Sequence, residues 1–231
     1  MTKQRSAFAE ALISLFYPRI CASCTRSLFS HEIVICMHCE RHLPKTGFIE
    51  WSGNPIEKIF WGRVELASAG ALYFFDKGEK VQKLMHGLKY RSRKDIGLWM
   101  GNQLGLSLLK SGRFKQIDYV VSIPLHPKKE YQRGFNQSAL IGRGIEESTG
   151  WQFSELLERT VNTDSQTRKT KYERWENVSG KFRIKKKNSI SGNHILLVDD
   201  IVTTGATLEA TTRILLAAGA KNVSVATIAV A

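Results

Sequence analysis

The sequence lacks long apolar runs, internal repeats and low-complexity stretches. No segment approaches the roughly 18–20 consecutive apolar residues of a transmembrane helix, so we expect no membrane insertion. The stretch from Phe8 to Phe16 is moderately apolar, but Glu10 interrupts it and no cleavage-site pattern follows. A signal peptide is therefore not expected, and we predict a cytoplasmic protein. The 42% hydrophobic and 24% charged residues are typical of a soluble globular chain.

Acidic residues are scarce in two segments of the chain. The 231 residues include 34 Lys and Arg against 21 Asp and Glu, a formal net charge of +13. Residues 77–94 hold seven Lys and Arg against one acid, and residues 158–187 hold ten against four. This concentration of basic charge suits a polyanion, either a polyphosphate substrate, a nucleic acid or both. A solvated basic surface without a ligand is the alternative.

All four cysteines lie in two short pairs, Cys21-Ala-Ser-Cys24 and Cys36-Met-His-Cys39. Paired C-x-x-C motifs are typical of structural zinc, which four thiolates surround tetrahedrally without an open position for catalysis. We therefore predict a zinc site, with His38 as a further potential ligand. Two disulfides are the alternative, which the reducing cytosol disfavours. Residues 1–45 are predicted as a helix over 1–17 followed by this zinc knuckle.

Apolar segments of two lengths alternate through the rest of the chain. The short ones predict strands over 67–75, 118–123, 195–199 and 223–230, and the longer ones predict helices over 78–89, 94–110, 134–149 and 206–218. The alternation favours an α/β fold over 67–231, with a mostly parallel twisted sheet and helices on both faces. Residues 46–66 are predicted as a linker because they contain Gly47, Gly53 and Pro55. The polar, basic stretch 160–180 is predicted as a mobile loop.

The segment 195–207 combines an apolar strand, two acids and a small-residue loop. Asp199 and Asp200 follow the apolar run, at the carboxyl end of a strand, where open α/β sheets bind ligands. The next residues offer hydroxyls and closely spaced backbone N–H groups at a helix N-terminus, which suit a phosphate dianion. They are Thr203, Thr204, Gly205, Ala206 and Thr207.

Acids beside a phosphate site indicate a sugar phosphate, whose ribose hydroxyls the carboxylates would bind. An ordinary strand–turn–helix, in which the threonines only cap the helix, is the alternative. Adjacent carboxylates repel each other and suit a purely structural turn poorly, which favours the binding site.

The segment Ile-Leu-Leu-Val-Asp-Asp-Ile-Val-Thr-Thr-Gly-Ala-Thr at 195–207 resembles the 5-phosphoribosyl-1-pyrophosphate (PRPP) motif of type I phosphoribosyltransferases at every position. Three further segments narrow the resemblance, and they are Leu88-Lys89-Tyr90-Arg91, Ile123-Pro124-Leu125-His126-Pro127 and Arg133-Gly134-Phe135-Asn136-Gln137. With the cysteine pairs, they make the chain similar to the ComF family. These competence-associated proteins join a zinc knuckle to a phosphoribosyltransferase fold.

The resemblance implies PRPP bound with Mg²⁺ and transfer of its phosphoribosyl group to an unidentified acceptor, with release of pyrophosphate. Asp199 and Asp200 would then be the catalytic residues, and 203–207 the PRPP-binding loop. An alternative is a PRPP-binding protein of natural competence that handles single-stranded DNA during uptake, without transferase turnover. Other competence proteins are implied partners. A zinc-bearing adaptor with a vestigial fold is disfavoured, because the acids and the loop are both intact.

Basic residues outside the motif are candidate contacts for pyrophosphate or another polyanion. In type I phosphoribosyltransferases the loop after an early core strand holds pyrophosphate, which here would involve His126 and Lys128. His126 is alternatively a turn residue between two prolines. Arg133 either clamps a phosphate bidentately or caps the preceding loop. Lys89 and Arg91 face either PRPP or a nucleic-acid strand.

Two further sets of residues have expected roles. Asn136 and Gln137 are expected to hold the backbone at a helix start rather than to perform chemistry. Tyr90, Tyr172 and Trp175 lie among basic residues and either stack on bases or serve as packing anchors.

Overall fold

The computed structural model describes residues 18–76, 79–159, 182–185 and 190–231. The helix predicted for 1–17 and the loop predicted for 160–180 lie outside these residues. Within the described ranges, no helix is long and apolar enough to cross a membrane.

Five of the described strands form one parallel sheet. In chain order the strands are β1 (Ser68–Phe74), β2 (Tyr119–Ser122), β3 (Gln152–Phe153), β4 (Leu157–Arg159), β5 (Phe182–Ile184), β6 (His194–Val202) and β7 (Asn222–Val230). The order across the sheet is β1-β7-β6-β2-β3, and β4 pairs with β5 in a separate antiparallel ladder. The predicted apolar run at 195–198 lies in β6, inside the sheet, where its four residues are completely buried.

Helices cover both faces of this sheet. In chain order the described helices are α1 (Met37–Arg41), α2 (Pro55–Phe60), α3 (Lys80–Tyr90), α4 (Lys94–Ser111), α5 (Pro127–Arg133), α6 (Gln137–Thr149) and α7 (Ala206–Ala217). Alternate side chains of β6 point to opposite faces. Leu196 and Val198 pack in one apolar cluster with α3, α4 and α6, whereas Ile195 and Leu197 pack in another with α2 and α7. The predicted α/β fold, with a parallel sheet between two helical layers, is confirmed.

Helix α5 was not predicted from the sequence. Proline is favourable in the first turn of a helix, where its missing N–H costs nothing. Pro127 begins α5, which ends at Gly134 in the left-handed conformation (φ 76°). The predicted helix over 134–149 therefore begins only at Gln137.

The segment predicted as a linker, 46–66, is packed against the sheet. Asn54 caps α2 by accepting hydrogen bonds from the N–H groups of Ile56 and Glu57. Ile56 and Phe60 are fully buried against the face of the sheet that α7 also covers. Residues 46–66 thus contribute to the core, and the division of the chain into units at 45 and 66 stays a prediction.

Candidate functional site

The neighbouring strands β2 and β6 lead, at the carboxyl edge of the sheet, to helices on opposite faces, α6 and α7, and we call the space between the two following loops the crevice. The last residue pair between β2 and β6 is Ser122 with Val198, whereas β6 continues beside β7 as far as Val202. The acids at 199 and 200 therefore lie in β6 itself, past the end of β2. This corrects the expectation that the strand ends at 199.

Asp199 and Asp200 are both held by other elements. The Ser138 hydroxyl, from the first turn of α6, donates to Asp199 Oδ1 at 2.8 Å, and the Asp200 N–H donates to the same oxygen at 2.8 Å. Lys89 Nζ, near the end of α3, lies 2.6 Å from Asp200 Oδ2. Burial, followed by the charge of Asp200, raises the pKa of Asp199 to about 7 from its ordinary 3.8. Below about pH 7 the Asp199 carboxyl is therefore mostly protonated in the ligand-free protein.

The phosphate loop, residues 203–207, connects β6 to α7. Gly205 is the residue before α7 and has φ 72°, a conformation that favours glycine. A Cβ atom there would also lie 2.8 Å from Ile59 and 2.9 Å from Phe60 of α2. No side chain caps the start of α7. Its first N–H groups have no acceptor within the helix, so they suit an anion.

The β2–α5 loop, residues 123–126, forms the other side of the crevice. Asn136 donates from Nδ2 to the Ile123 carbonyl at 2.9 Å, and its Oδ1 accepts from the Ser138 N–H at 3.1 Å. The expected backbone-holding role of Asn136 is therefore confirmed. His126 Nδ1 accepts from the Lys128 N–H at 3.2 Å and so caps α5, while the Lys128 side chain is exposed.

Arg133 lies against α3. Its Nη1 donates to Gln137 Oε1 at 2.7 Å, and its guanidinium carbon lies 5.6 Å from the centre of the Tyr90 ring. Because Tyr90 follows Lys89, Arg133 reaches the end of α3 that contacts Asp200. Its partners in the structure are thus Gln137 and Tyr90, and a phosphate contact stays a prediction.

Arg91 does not accompany Lys89 to the acids. It lines a cavity of about 550 Å³ together with Lys83 and His86 of α3 and with Cys24 and Thr25. Lys89 and Arg91, which we predicted to face the same polyanion, therefore lie in different parts of the structure. Tyr172 and Trp175 lie outside the described residues.

The four cysteines converge. Their Sγ atoms all lie within 4.8 Å of one another, with Cys24 and Cys36 3.7 Å apart, and all four are free thiols. Four sulfurs at about 2.3 Å from a tetrahedral zinc ion would be about 3.8 Å apart, which this arrangement fits. His38 packs against His42, with ring centres 4.4 Å apart, and is not part of the group. The cysteines can hold a metal such as zinc.

The thiols are not electrostatically equivalent. Burial opposes the Cys21 thiolate, but N–H groups of Cys24, Cys36 and Ser23 outweigh burial and lower the pKa of Cys21 to about 7. Burial raises the pKa of Cys39 to about 12. A cation between the sulfurs would favour the thiolate form of all four.

Three residues that were not predicted from the sequence support the site: Ser138, Arg63 and Glu209. The Ser138 hydroxyl contacts an acid 61 residues away. Arg63, in the predicted linker, contacts both the Thr204 carbonyl and Glu209 of α7. Their positions in the predicted elements gave no local signal for these contacts.

Residues 152–231 match the family model of the phosphoribosyl transferase domain. The chain is 30% identical to DNA utilization protein YhgH of Escherichia coli strain K12 over 211 residues, which cover 89% of this chain and 88% of that protein. It is 22% identical to Competence protein F of Haemophilus influenzae over 215 residues, 89% of this chain and 88% of that protein. It is 39% identical to Competence protein ComFC of Streptococcus pneumoniae over 111 residues, 48% of this chain and 47% of that protein.

Proposed function

The chain belongs to the ComF family of proteins with a phosphoribosyltransferase fold, and we propose on this basis that it binds PRPP with Mg²⁺. The proposed binding site is the crevice between the phosphate loop and the β2–α5 loop. We further propose that it transfers the phosphoribosyl group to an acceptor and releases pyrophosphate. The observation that carries the proposal is the succession, on one strand end, of two held carboxylates and an uncapped helix N-terminus. The carboxylates suit the ribose hydroxyls, and the helix N-terminus suits the 5-phosphate.

In the proposed reaction, a nucleophilic nitrogen of the acceptor forms a bond to the anomeric carbon of ribose. The bond from that carbon to the pyrophosphate oxygen breaks, and pyrophosphate leaves with the electron pair. Positive charge develops on the ribose ring, and the carboxylates of Asp199 and Asp200 stabilise it. The N–H groups of the phosphate loop keep the 5-phosphate in place, so that the anomeric carbon stays beside the acids.

Magnesium fits the donors present, because it prefers carboxylate and phosphate oxygens. Asp199 and Asp200 are the protein groups that would hold the ion, and the ion would neutralise charge on the leaving pyrophosphate. Lys89 supplies the positive partner of Asp200 in the absence of ligand. We propose that Lys89, Lys128 and Arg133 lie near enough to the crevice to assist with the polyphosphate.

Calorimetric titration with Mg-PRPP tests the binding site. We expect the wild type to bind Mg-PRPP. The double variant Asp199→Asn plus Asp200→Asn, which keeps the size of both side chains, should not bind it. Asp118→Asn is the control, because Asp118 lies just before β2, at the opposite edge of the sheet from the crevice. There it accepts a hydrogen bond from the His194 N–H. Absence of binding to the wild type, or undiminished binding to the double variant, contradicts the proposal. Release of pyrophosphate with a panel of nitrogen acceptors then tests transfer.

A second candidate function is the handling of single-stranded DNA by the PRPP-binding protein, without turnover. The names of the relatives, which refer to DNA utilization and competence, support it. The basic side chains that line the cavity beside α3, Lys83 and Arg91, support it as well. Titration with single-stranded DNA over a series of salt concentrations tests this function. A steep salt dependence with no pyrophosphate release favours it, whereas salt-insensitive or absent binding contradicts it.

We also propose that the cysteine cluster holds structural zinc. Its support is the mutual distance of the four thiols, together with the backbone N–H groups that point to Cys21. Metal analysis of the purified protein should find one zinc per chain. Cys24→Ser should reduce this content, whereas Ser27→Ala, a nearby exposed change, should not.

A further inference from the structure

Arg63 connects the phosphate loop to two other elements. Its Nη1 donates to the carbonyls of Ile59 and Thr204, each at 2.9 Å. Its Nε and Nη2 contact Glu209 Oε2 at 2.9 and 2.5 Å. The fork-shaped guanidinium thus joins α2, the phosphate loop and the first turns of α7. No part of this side chain needs to reach a ligand in the crevice.

The contact with the Thr204 carbonyl determines where the next N–H group points. The peptide bond between Thr204 and Gly205 is trans, since the described chain contains no cis peptide bond. In a trans peptide the C=O and the following N–H point to opposite sides. Because Arg63 holds the carbonyl towards α2, the N–H of Gly205 points away from α2. Thr203 and Thr204, the two residues before Gly205, are both exposed.

Arg63 also neutralises an acid beside the loop. Glu209 lies one turn into α7, where a free carboxylate would repel a phosphate bound at the helix start. Its Oε2 contacts Arg63, and its Oε1 contacts Arg213 Nη2 at 3.1 Å. With both oxygens paired, the carboxylate contributes less negative potential to the phosphate loop.

We propose that Arg63 is a positioning residue for the phosphate-monoester end of the ligand. It orients the Gly205 N–H towards the phosphate and neutralises Glu209 without touching the ligand. The inference rests on the proposed function, because it assumes that the phosphate loop binds the 5-phosphate. It also predicts that the influence of Arg63 is confined to this end of the crevice, so that the pyrophosphate end is unaffected.

Two fragments separate the two ends of the ligand. Ribose 5-phosphate carries only the monoester, and Mg-pyrophosphate carries only the leaving group. NMR titration of both into the wild type and Arg63→Met measures each affinity. We expect Arg63→Met to weaken ribose 5-phosphate binding about tenfold or more, because an oriented donor to a charged group is lost. Binding of Mg-pyrophosphate should be unchanged.

Arg113 provides a matched control. It contacts Glu57 with one arm and the Ile49 carbonyl with the other, so it anchors the same packed segment but not the phosphate loop. Arg113→Met should lower the melting temperature and leave the preference between the two fragments unchanged. Arg63→Lys keeps the charge but lacks the fork, so we expect it to remain weak for ribose 5-phosphate. The amide proton of Gly205 should shift on addition of ribose 5-phosphate in the wild type and in Arg113→Met, but not in Arg63→Met.

With the Arg63 variants, three results overturn the inference: equal weakening of both fragments by Arg63→Met, no weakening of either, or full recovery with Arg63→Lys. The same selective loss in Arg113→Met would overturn it too, because packing alone would then explain the effect. A wild type that fails to bind Mg-PRPP and both fragments refutes the proposed function instead. That failure is recognised before any variant is compared.

Discussion

The phosphate loop and the β2–α5 loop lie at the same edge of the sheet but are held in different ways. Helix α5 begins with a side-chain cap, because His126 accepts from the Lys128 N–H. Helix α7 begins at Gly205 without a side-chain cap. The phosphate loop takes its support from Arg63, 141 residues from Thr204, whereas Ile123 takes its support from Asn136, 13 residues away. An uncapped helix start with remote support keeps its N–H donors available for a ligand.

Replacing the glycine of each loop region should give the largest difference in stability. Gly205→Ala combines a left-handed backbone with a Cβ atom 2.8 Å from Ile59, whereas Gly134→Ala has a similar φ of 76° but open space. We expect Gly205→Ala to lower the free energy of unfolding by about 2–4 kcal/mol and Gly134→Ala by about 1 kcal/mol. Denaturant unfolding measures both, and equal effects would show that α2 yields to the added methyl group.

Two capping asparagines compare the supports of the loops. Asn54 is fully buried, caps α2 beneath the phosphate loop and donates to the Ala69 carbonyl at 2.8 Å. Asn136 caps α6 and donates to the Ile123 carbonyl. Asn54→Ala should cost about 2–3 kcal/mol of unfolding free energy and Asn136→Ala about 1–2 kcal/mol, because the deeper site leaves its partners without water.

The asparagine comparison needs a control that separates capping from the strand contact. An Asn→Asp change at each position keeps the cap acceptor and removes the donor to the carbonyl. The Asp variants should therefore recover part of the lost stability at Asn136 but little at Asn54, where a buried charge is also introduced. A larger loss at Asn136 than at Asn54 would reverse the ranking of the two supports.

Asp199 lies between the loops and should make the ligand-free protein less stable at high pH. Its pKa is raised to about 7 in the folded protein from its ordinary 3.8, so folding favours the protonated carboxyl. The resulting stabilisation is full below about pH 4 and is lost as pH rises through about 7. Asp199→Asn should remove this dependence and stabilise the protein at pH 8 by about 1–2 kcal/mol. Unfolding curves from pH 5 to 8 measure the difference.

Ser138→Ala sharpens this prediction. The Ser138 hydroxyl donates to Asp199 and lowers its pKa, so its removal should move the pH dependence to higher pH. A stability that rises from pH 5 to 8 more in the wild type than in Asp199→Asn would contradict the assigned sign.

His126→Ala should give the smallest effect. It removes the cap of α5 and should cost about 0.5–1 kcal/mol of unfolding free energy. His126→Asn should restore most of this loss, because asparagine is a strong capping residue. If His126→Asn instead weakens Mg-pyrophosphate binding strongly, the histidine acts on the ligand as well as on α5.

Much of the fold was predictable because its signals are local. The apolar run at 195–198 and the small residues after it define β6 and the start of α7 within one short segment. The cysteine pairs likewise predicted a cluster that the structure brings together. Alternation of strands and helices was sufficient for a parallel sheet.

The supports of the site were not predictable, because they depend on contacts between distant segments. Residues 46–66 contain three turn-forming residues that indicated a linker, but burial of Ile56 and Phe60 outweighs that local tendency. The end of β6 depends on its pairing with β7, which continues to Val202. Arg91 and Lys89 diverge because residues two positions apart do not share a helix face, and Arg91 already follows the last residue of α3.

Cys21, Cys36 and Cys39 belong to the same apolar cluster as Leu84 and Leu88 of α3. Separate modules would melt independently, but parts that share one cluster unfold cooperatively. A metal that binds only the folded cysteines therefore stabilises α3 against unfolding. The end of α3 holds Lys89 against Asp200. Hydrogen exchange of the α3 amides should slow as metal occupancy rises, because the bound metal disfavours the local unfolding that would release Lys89 from Asp200.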